Sequence, residues 1–526
     1  METKSTLYLV LLTISIGGLQ MAWAVELSNG SPYLLSLGLT KSLMALVWIA
    51  GPITGVIVQP YVGIRSDNCR VPWGKRKPFM IGGCVATVVS LLALAWAKEL
   101  VRAFLGIFGV DPAAEGVRTV TQIFAVIAIY SLDCAVNTVQ AGIRAFIVDN
   151  APTHQQDTAN AWAARINSAG NIVGYLFGYV NLPTVLPFFG NTQFKVLSVI
   201  ACLSLSGTLA ISCSYIKERD PRLDKPPSVA QAGFGAFTKR LLISIPRLPP
   251  QIRQVCIVQF FSWMGWFPFM YYITTYIGQL YVNPYLRANP SLTDTELSLL
   301  WERATRIGTF ALLMFAITCC ISSILLPFIV APSYTSRHPP AMPPLAIRPL
   351  TLRRAWFLSH ILLATCLLAT IFITTPTSAT VLVAVIGVPW SLTQWAPLAL
   401  IGAEVSKRSD DRHRRDAAQL LPSPVSSTAS TRSVPHEEDQ AGVVLGLHNV
   451  AVSAPQIVAT LLSSAIFRAL QKPRGVPGDE SVGWTLRAGA IATVVAAWMT
   501  LKVREGWEEE KVDGNGDEAD GLIREG

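Results

Sequence analysis

The chain alternates between apolar runs of roughly twenty residues and short polar connections, the pattern of helices that each cross a bilayer. Twelve such runs can be drawn, at about 7–28, 41–63, 79–97, 120–144, 160–181, 194–214, 255–280, 305–330, 355–374, 378–402, 441–468 and 484–502. They fall into two groups of six. This predicts an all-α membrane protein of twelve transmembrane helices, with a six-helix half over 1–214, a connecting loop over 215–253 and a second half over 254–504. One run breaks the apolar rule. Residues 119–150, TVTQIFAVIAIYSLDCAVNTVQAGIRAFIVDN, carry Asp133, Asn137, Gln140 and Arg144. These recur at i, i+4, i+7 and i+11, so one helix face holds a polar stripe. A carboxylate near the bilayer centre costs about 2.5–3.5 kcal/mol on insertion scales, so Asp133 needs a partner or a task. Two readings fit the stripe: an interhelical polar clamp, or a substrate and proton pathway, for which Arg144 would be the partner of Asp133 or a second ligand.

Composition agrees with the membrane reading, at 51% hydrophobic and 14% charged residues, where a soluble chain carries about 25% charged. The net charge of +9 could point to nucleic acid, but the basic residues sit in short loops between apolar runs. Loop 64–78 holds Arg65, Arg70, Lys75, Arg76 and Lys77, and loop 331–354 holds Arg337, Arg348, Arg353 and Arg354, while 183–193 and 374–378 carry no Lys or Arg. Such asymmetry sets orientation: both termini and the even-numbered loops are expected in the cytoplasm. No nucleic-acid partner is expected, and the bilayer is. The nine cysteines lie mostly in apolar runs without a CxxC pair, which suits packing rather than metal or disulfides. No cofactor, metal site or catalytic constellation stands out, so an enzyme is not expected. The Pro-rich stretch 331–350, the Ser/Thr-rich charged loop 405–440 and the polar tail 505–526 are expected to lie outside the packed core.

Residues 63–78, GIRSDNCRVPWGKRKP, combine glycines, an acid and a basic cluster between the second and third runs. Gly63 and Gly74 permit a reversal, and Asp67 can pair with the cluster of Lys75, Arg76 and Lys77 and cap helix ends. The pattern resembles the loop between the second and third helices of the major facilitator superfamily, which gates the transport cycle there. Longer stretches narrow this. GPITGVIVQPYVGIRSDNCRVPWGKRKPF, SLDCAVNTVQAGIRAFIVDNAP, ANAWAARINSAGNIVGYLFGY, QIRQVCIVQFFSWMGWFPFMYYITTYIGQ and LGLHNVAVSAPQIV occur in an order similar to that of the sucrose–proton symporter family, the glycoside-transporting branch of that superfamily. AVELS…PYLLSLGL, TTYIG and WAPLALIG look closer to its fungal members, often α-glucoside permeases.

The resemblance implies that Asp133 is the proton-coupling and sugar-binding carboxylate, that Arg144 serves substrate binding, and that Arg306 matches a G-x-R-x-G element opening the eighth helix. Arg306 also has the plainer reading of an interfacial cation. The sequence departs from plant members where Thr274 and Thr275 follow FPF in place of an acid, and where Glu26 and Glu404 add acids. Coupling then rests on Asp133 alone or involves Glu26, which lies close to the predicted end of its run. A disaccharide asks for hydroxyl-binding donors and acceptors and for flat apolar faces. The stripe supplies the first; Trp23, Trp162, Trp263, Trp266, Tyr271 and Trp390 are candidates for the second. His448 and Asn449 are polar positions inside the eleventh run. The expected function is proton-coupled uptake of sucrose, maltose or a related α-glucoside through the plasma membrane by alternating access, with the monomer as expected unit. A sugar sensor, or a carrier of another sugar or in another direction, is the alternative.

Overall fold

The structure is a computed structural model and describes residues 3–152, 155–218, 220–223, 235, 239, 243, 248–289, 292–331, 345, 347–419 and 437–504. Side chains at 157, 348 and 405–446 are outside that description, as are the tail from 505 and the Ser/Thr-rich segment 420–436, on which the expectations above fall.

Twelve long helical rods make the body: α1 (Thr6–Ser36), α2 (Lys41–Asp67), α3 (Lys77–Ala95), α4 (Glu115–Asn150), α5 (Gln156–Tyr179), α6 (Gln193–Tyr215), α7 (Pro250–Ala288), α8 (Asp294–Ile329), α9 (Leu352–Ala369), α10 (Pro376–Gln419), α11 (Glu437–Leu470) and α12 (Ser481–Thr500). Ten are long and apolar enough to cross a membrane. The other two, α5 and α7, are 24 and 39 residues long. They fall short on hydropathy for a readable reason: α5 carries Arg165, Asn167 and Asn171, and α7 is built of Trp, Tyr and Phe around FFSWMGWFPFMYY. The expected all-α membrane architecture is what the chain forms.

Several helices outrun the predicted runs. α1 continues to Ser36 through Pro32, so Glu26 lies well inside it rather than at its end. α10 continues as helix through the charged segment to Gln419, where a loop was expected from 405. The 331–350 stretch closes with a short parallel pair, β1 (Val330–Ala331) with β2 (Ile347–Thr351). Gly63 sits within α2 and makes no turn there.

The start of α1 and the end of α12 lie at one end of the bundle, called the terminal end below. There Lys4 N donates to Gln155 Oε1 at 2.7 Å and Gln251 Nε2 donates to the Arg504 carbonyl at 2.7 Å. Packing runs chiefly α2 and α3 on α4, α6 on α1 and α1 on α5 in the first half, and α7 on α12, α8 on α10 and α9 on α12 in the second. The halves meet through α5 on α8 and α11 on α2. Small residues allow the close approaches: a Cβ on Gly178 of α5 would come within 2.5 Å of Thr309 of α8.

Candidate functional site

The polar stripe of α4 is graded along its length. Asp133 is fully buried and Asn137 nearly so, Gln140 is half-buried and Arg144 is exposed. Arg144 is nonetheless walled by protein, as expected for a side chain projecting into a vestibule. The stripe is therefore closed over at Asp133 and increasingly exposed toward the terminal end.

At the closed end two carboxyls face each other. Glu26 of α1 is 4% exposed and Asp133 0%. Each is the other's neighbouring acid, and no donor among the described residues reaches any of their four oxygens. Gly51 of α2 supplies the floor beside them: a Cβ there would lie 3.2 Å from the Tyr271 hydroxyl and 3.6 Å from Asp133 Oδ1. Tyr271 is held in turn by Trp48, whose ring centroid is 4.8 Å away, and by Ser31 Oγ, which donates to the Tyr271 carbonyl at 2.6 Å. Trp48 Nε1 donates to the same Ser31 at 3.0 Å. Spans α1, α2, α4 and α7 thus converge on one sealed acid pair.

One turn toward the terminal end lies a layer of amides. Asn137 Nδ2 donates to Thr54 Oγ1 at 3.0 Å and to the Asp133 carbonyl at 2.9 Å, while its Oδ1 accepts from Gln59 Nε2 at 2.7 Å. Trp23 Nε1 donates to Gln140 Oε1 at 3.1 Å, and Gln20 Nε2 donates to Asn171 Oδ1 at 3.0 Å. Asn449 of α11 crosses from the other half, donating to the Gly55 carbonyl at 3.3 Å. His448 meets Gln259 Nε2 at 3.2 Å, with donor and acceptor set by its tautomer. Trp263 and Trp390 stand edge-on at 5.9 Å and are partly exposed, flat faces on the second half's side. Trp266 behind them is sealed, donating to Thr393 Oγ1 at 3.1 Å.

Other predicted residues lie elsewhere. Arg306 neighbours Tyr281 in the part of α8 away from the terminal end, apart from the acid pair. Arg144 makes no ion pair with Asp133; eleven residues of helix separate them by about 16 Å. Thr274 and Thr275 are buried with unpartnered hydroxyls. Glu404 is buried near the end of the apolar part of α10. Gln59, Gln20 and Asn171 were missed by sequence reading; Gln59 sits inside the quoted VQP but drew no attention because its stretch was read as a whole.

The loop after α2 forms a separate centre at the terminal end. Arg76 Nε donates to Asp149 Oδ2 at 2.7 Å, and its other nitrogens reach Asp67 and Ser66. Lys75 Nζ is 3.3 Å from Asp149. Burial alone would lower the Arg76 pKa, but Asp149 and Asp67 more than offset it and hold the guanidinium above its ordinary value. Gly74 has φ +128°, and Glu218 occupies the place its Cβ would take, accepting from the Arg76 and Lys77 amides at 3.1 and 3.2 Å. Glycine is needed here for both reasons.

Comparison with known proteins agrees with this geometry. A family model described as Major Facilitator Superfamily matches residues 6–414. The chain is 34% identical to the general alpha-glucoside permease of Schizosaccharomyces pombe, over 94% of this chain and 93% of that protein. It is 30% identical to sucrose transport protein SUT1 of Oryza sativa subsp. japonica, over 60% of each chain. Among solved structures it resembles the nucleoside transporter NupG, with a TM-score of 0.58 at 12% identity over 95% of this chain and 99% of that one. The inward-open xylose transporter XylE from E. coli gives 0.55 at 11% identity over 94% and 96%. The chain is a multi-pass membrane protein that belongs to the Major Facilitator Superfamily, in the family that also holds the fission-yeast general alpha-glucoside permease.

Proposed function

We propose that this protein is a proton-coupled symporter that imports sucrose, maltose or a related α-glucoside by alternating access, acting as a monomer in the plasma membrane with both termini in the cytoplasm. The observation that carries the reading is the sealed Glu26–Asp133 pair beside a layer of amides on the same helix face. Two carboxylates in contact repel, and neither can donate; one proton between them turns repulsion into a hydrogen bond. The pair is therefore a proton site that two spans must share. Closing a dry cavity over the charged pair is costly, and over the protonated pair far less so. If sugar and proton are both required before the carrier reorients, the proton gradient drives accumulation. The amides supply hydroxyl-binding groups, Trp263 and Trp390 supply apolar faces, and Arg144 adds a cation in the vestibule. The basic loops at the terminal end support the orientation.

The test is uptake of labelled sucrose and maltose by yeast lacking their own disaccharide carriers, at acidic and neutral pH, with and without a protonophore. Acid-stimulated accumulation that the protonophore abolishes is the expected result. Equilibration without accumulation would leave a carrier and remove the proton. Absence of uptake, with the protein at the cell surface, would contradict the reading.

A further inference from the structure

We infer that Gln59, rather than Asn137, is the side chain of this face that contacts the sugar, and that Asn137 is a positioning residue. The inference rests on the sugar-carrier reading and assigns a specificity-determining residue within it.

Hydrogen-bond valence separates the two amides. An amide side chain has two N–H donors and one carbonyl oxygen. Both donors of Asn137 are committed, to Thr54 Oγ1 and to the Asp133 carbonyl, and its oxygen already accepts from Gln59. Asn137 is 3% exposed, and a Cβ on Gly55 would lie 3.9 Å from its Oδ1, so α2 closes over it. It has no donor left for a ligand. Gln59 is the opposite case. One N–H reaches Asn137, leaving a second N–H and the carbonyl oxygen without a partner among the described residues. The carbonyl oxygen is not sealed, and the residue is half-buried. It projects away from the exposed apolar stripe Ile53, Ile57 and Tyr61 that α2 turns outward. A free donor and a free acceptor on one rigidly anchored amide suit a pair of vicinal hydroxyls. Asn137 fixes where that amide points, and Thr54 and the α4 backbone fix Asn137.

The test is transport kinetics of Gln59→Met, which keeps length and loses polarity, with surface protein quantified. Sucrose and maltose are compared with their monodeoxy analogues. The expected result is a rise in KM of about tenfold with maximal rate within about twofold, one lost hydrogen-bonded contact. In the wild type, one deoxy position should cost about tenfold; in Gln59→Met that position should cost nothing further. Gln59→Asn, which shortens the arm and keeps the amide, should show the same pattern and serves if the first variant does not reach the surface. Asn137→Ala should instead weaken every analogue alike. An unchanged KM in Gln59→Met, or an unchanged profile across the deoxy analogues, overturns the inference. If the wild type carries neither disaccharide, the sugar reading itself has failed and this inference falls with it, an outcome distinct from normal wild-type transport with a silent Gln59.

Discussion

The two ends of the bundle are held by different chemistry. At the end away from the termini, several polar contacts cross between halves, alongside the Lys195–Glu99 ion pair that stays inside the first half. Lys41 at the start of α2 meets Asp479 before α12 at 2.5 Å, with side chains only 10% and 7% exposed. Its backbone N–H donates to Gln471 Oε1 at 2.9 Å, Ser42 and Ser464 hydroxyls pair at 2.9 Å, and Gln193 N donates to Glu302 at 2.8 Å. At the terminal end, among the described residues, the ion pairs stay inside the first half: Arg76 with Asp67 and Asp149, Lys75 with Asp149. One end is clasped across the interface. The other is braced within one half and leaves the interface free to part. The α4 stripe is correspondingly most exposed toward the terminal end, and the acid pair is buried.

The largest expected effect comes from breaking the clasp unevenly. Lys41→Ala leaves Asp479 buried without its cation, and removing one partner of a buried pair costs about 3–5 kcal/mol. Hydrogen–deuterium exchange should rise at 41–47 and 471–481 and remain unchanged at 66–77. Lys41→Met with Asp479→Leu should recover most of the protection, because the pair is replaced rather than orphaned. Equal loss in single and double variants would show that the ion pair is not what closes this end.

Arg76→Ala tests the other end. It removes charge-assisted bonds to Asp67 and Asp149, each worth about 1.5–3 kcal/mol at most. A fall in uptake of about tenfold is expected, with exchange at 471–481 unchanged. Protection lost at both ends together would mean that the two centres are one.

The smallest effect is a predicted constancy. Burial pushes the Asp479 pKa up, but the Lys41 ammonium and the Ser481 donors outweigh it and hold the carboxyl below its usual value. A depressed acid stabilises the fold above its unfolded pKa and loses that contribution only as pH falls through the folded value. The folded value lies below the ordinary 3.8. Protection factors at 471–481, with the intrinsic pH dependence of exchange divided out, should therefore be the same at about pH 5 and pH 7. Opening of the clasp over that interval would place its control in another group.

Sequence pattern reached the fold because twelve apolar runs and the loop charges are local properties. It reached Asp133, Asn137, Gln140 and Arg144 because one helix carries them at helical spacing. It misjudged Glu26 because the apolar run fades near residue 28 while the helix continues through Pro32 to Ser36, taking Glu26 into the interior. It could not find the Lys41–Asp479 clasp, whose members are 438 positions apart. Nor could it separate Gln59 from Asn137, since which amide has spare donors depends on contacts among α2, α4 and the Asp133 backbone. Arg306 lies twelve residues into α8, beside Tyr281.

The central claim is that the Glu26–Asp133 pair carries the coupled proton. The direct measurement is sugar transport by purified protein in liposomes, wild type against Asp133→Asn, in two modes: exchange of labelled for unlabelled maltose at equal pH, and net accumulation driven by a pH gradient. The account predicts that Asp133→Asn, which mimics the protonated acid, keeps exchange and loses gradient-driven accumulation. Undiminished accumulation in that variant would contradict it.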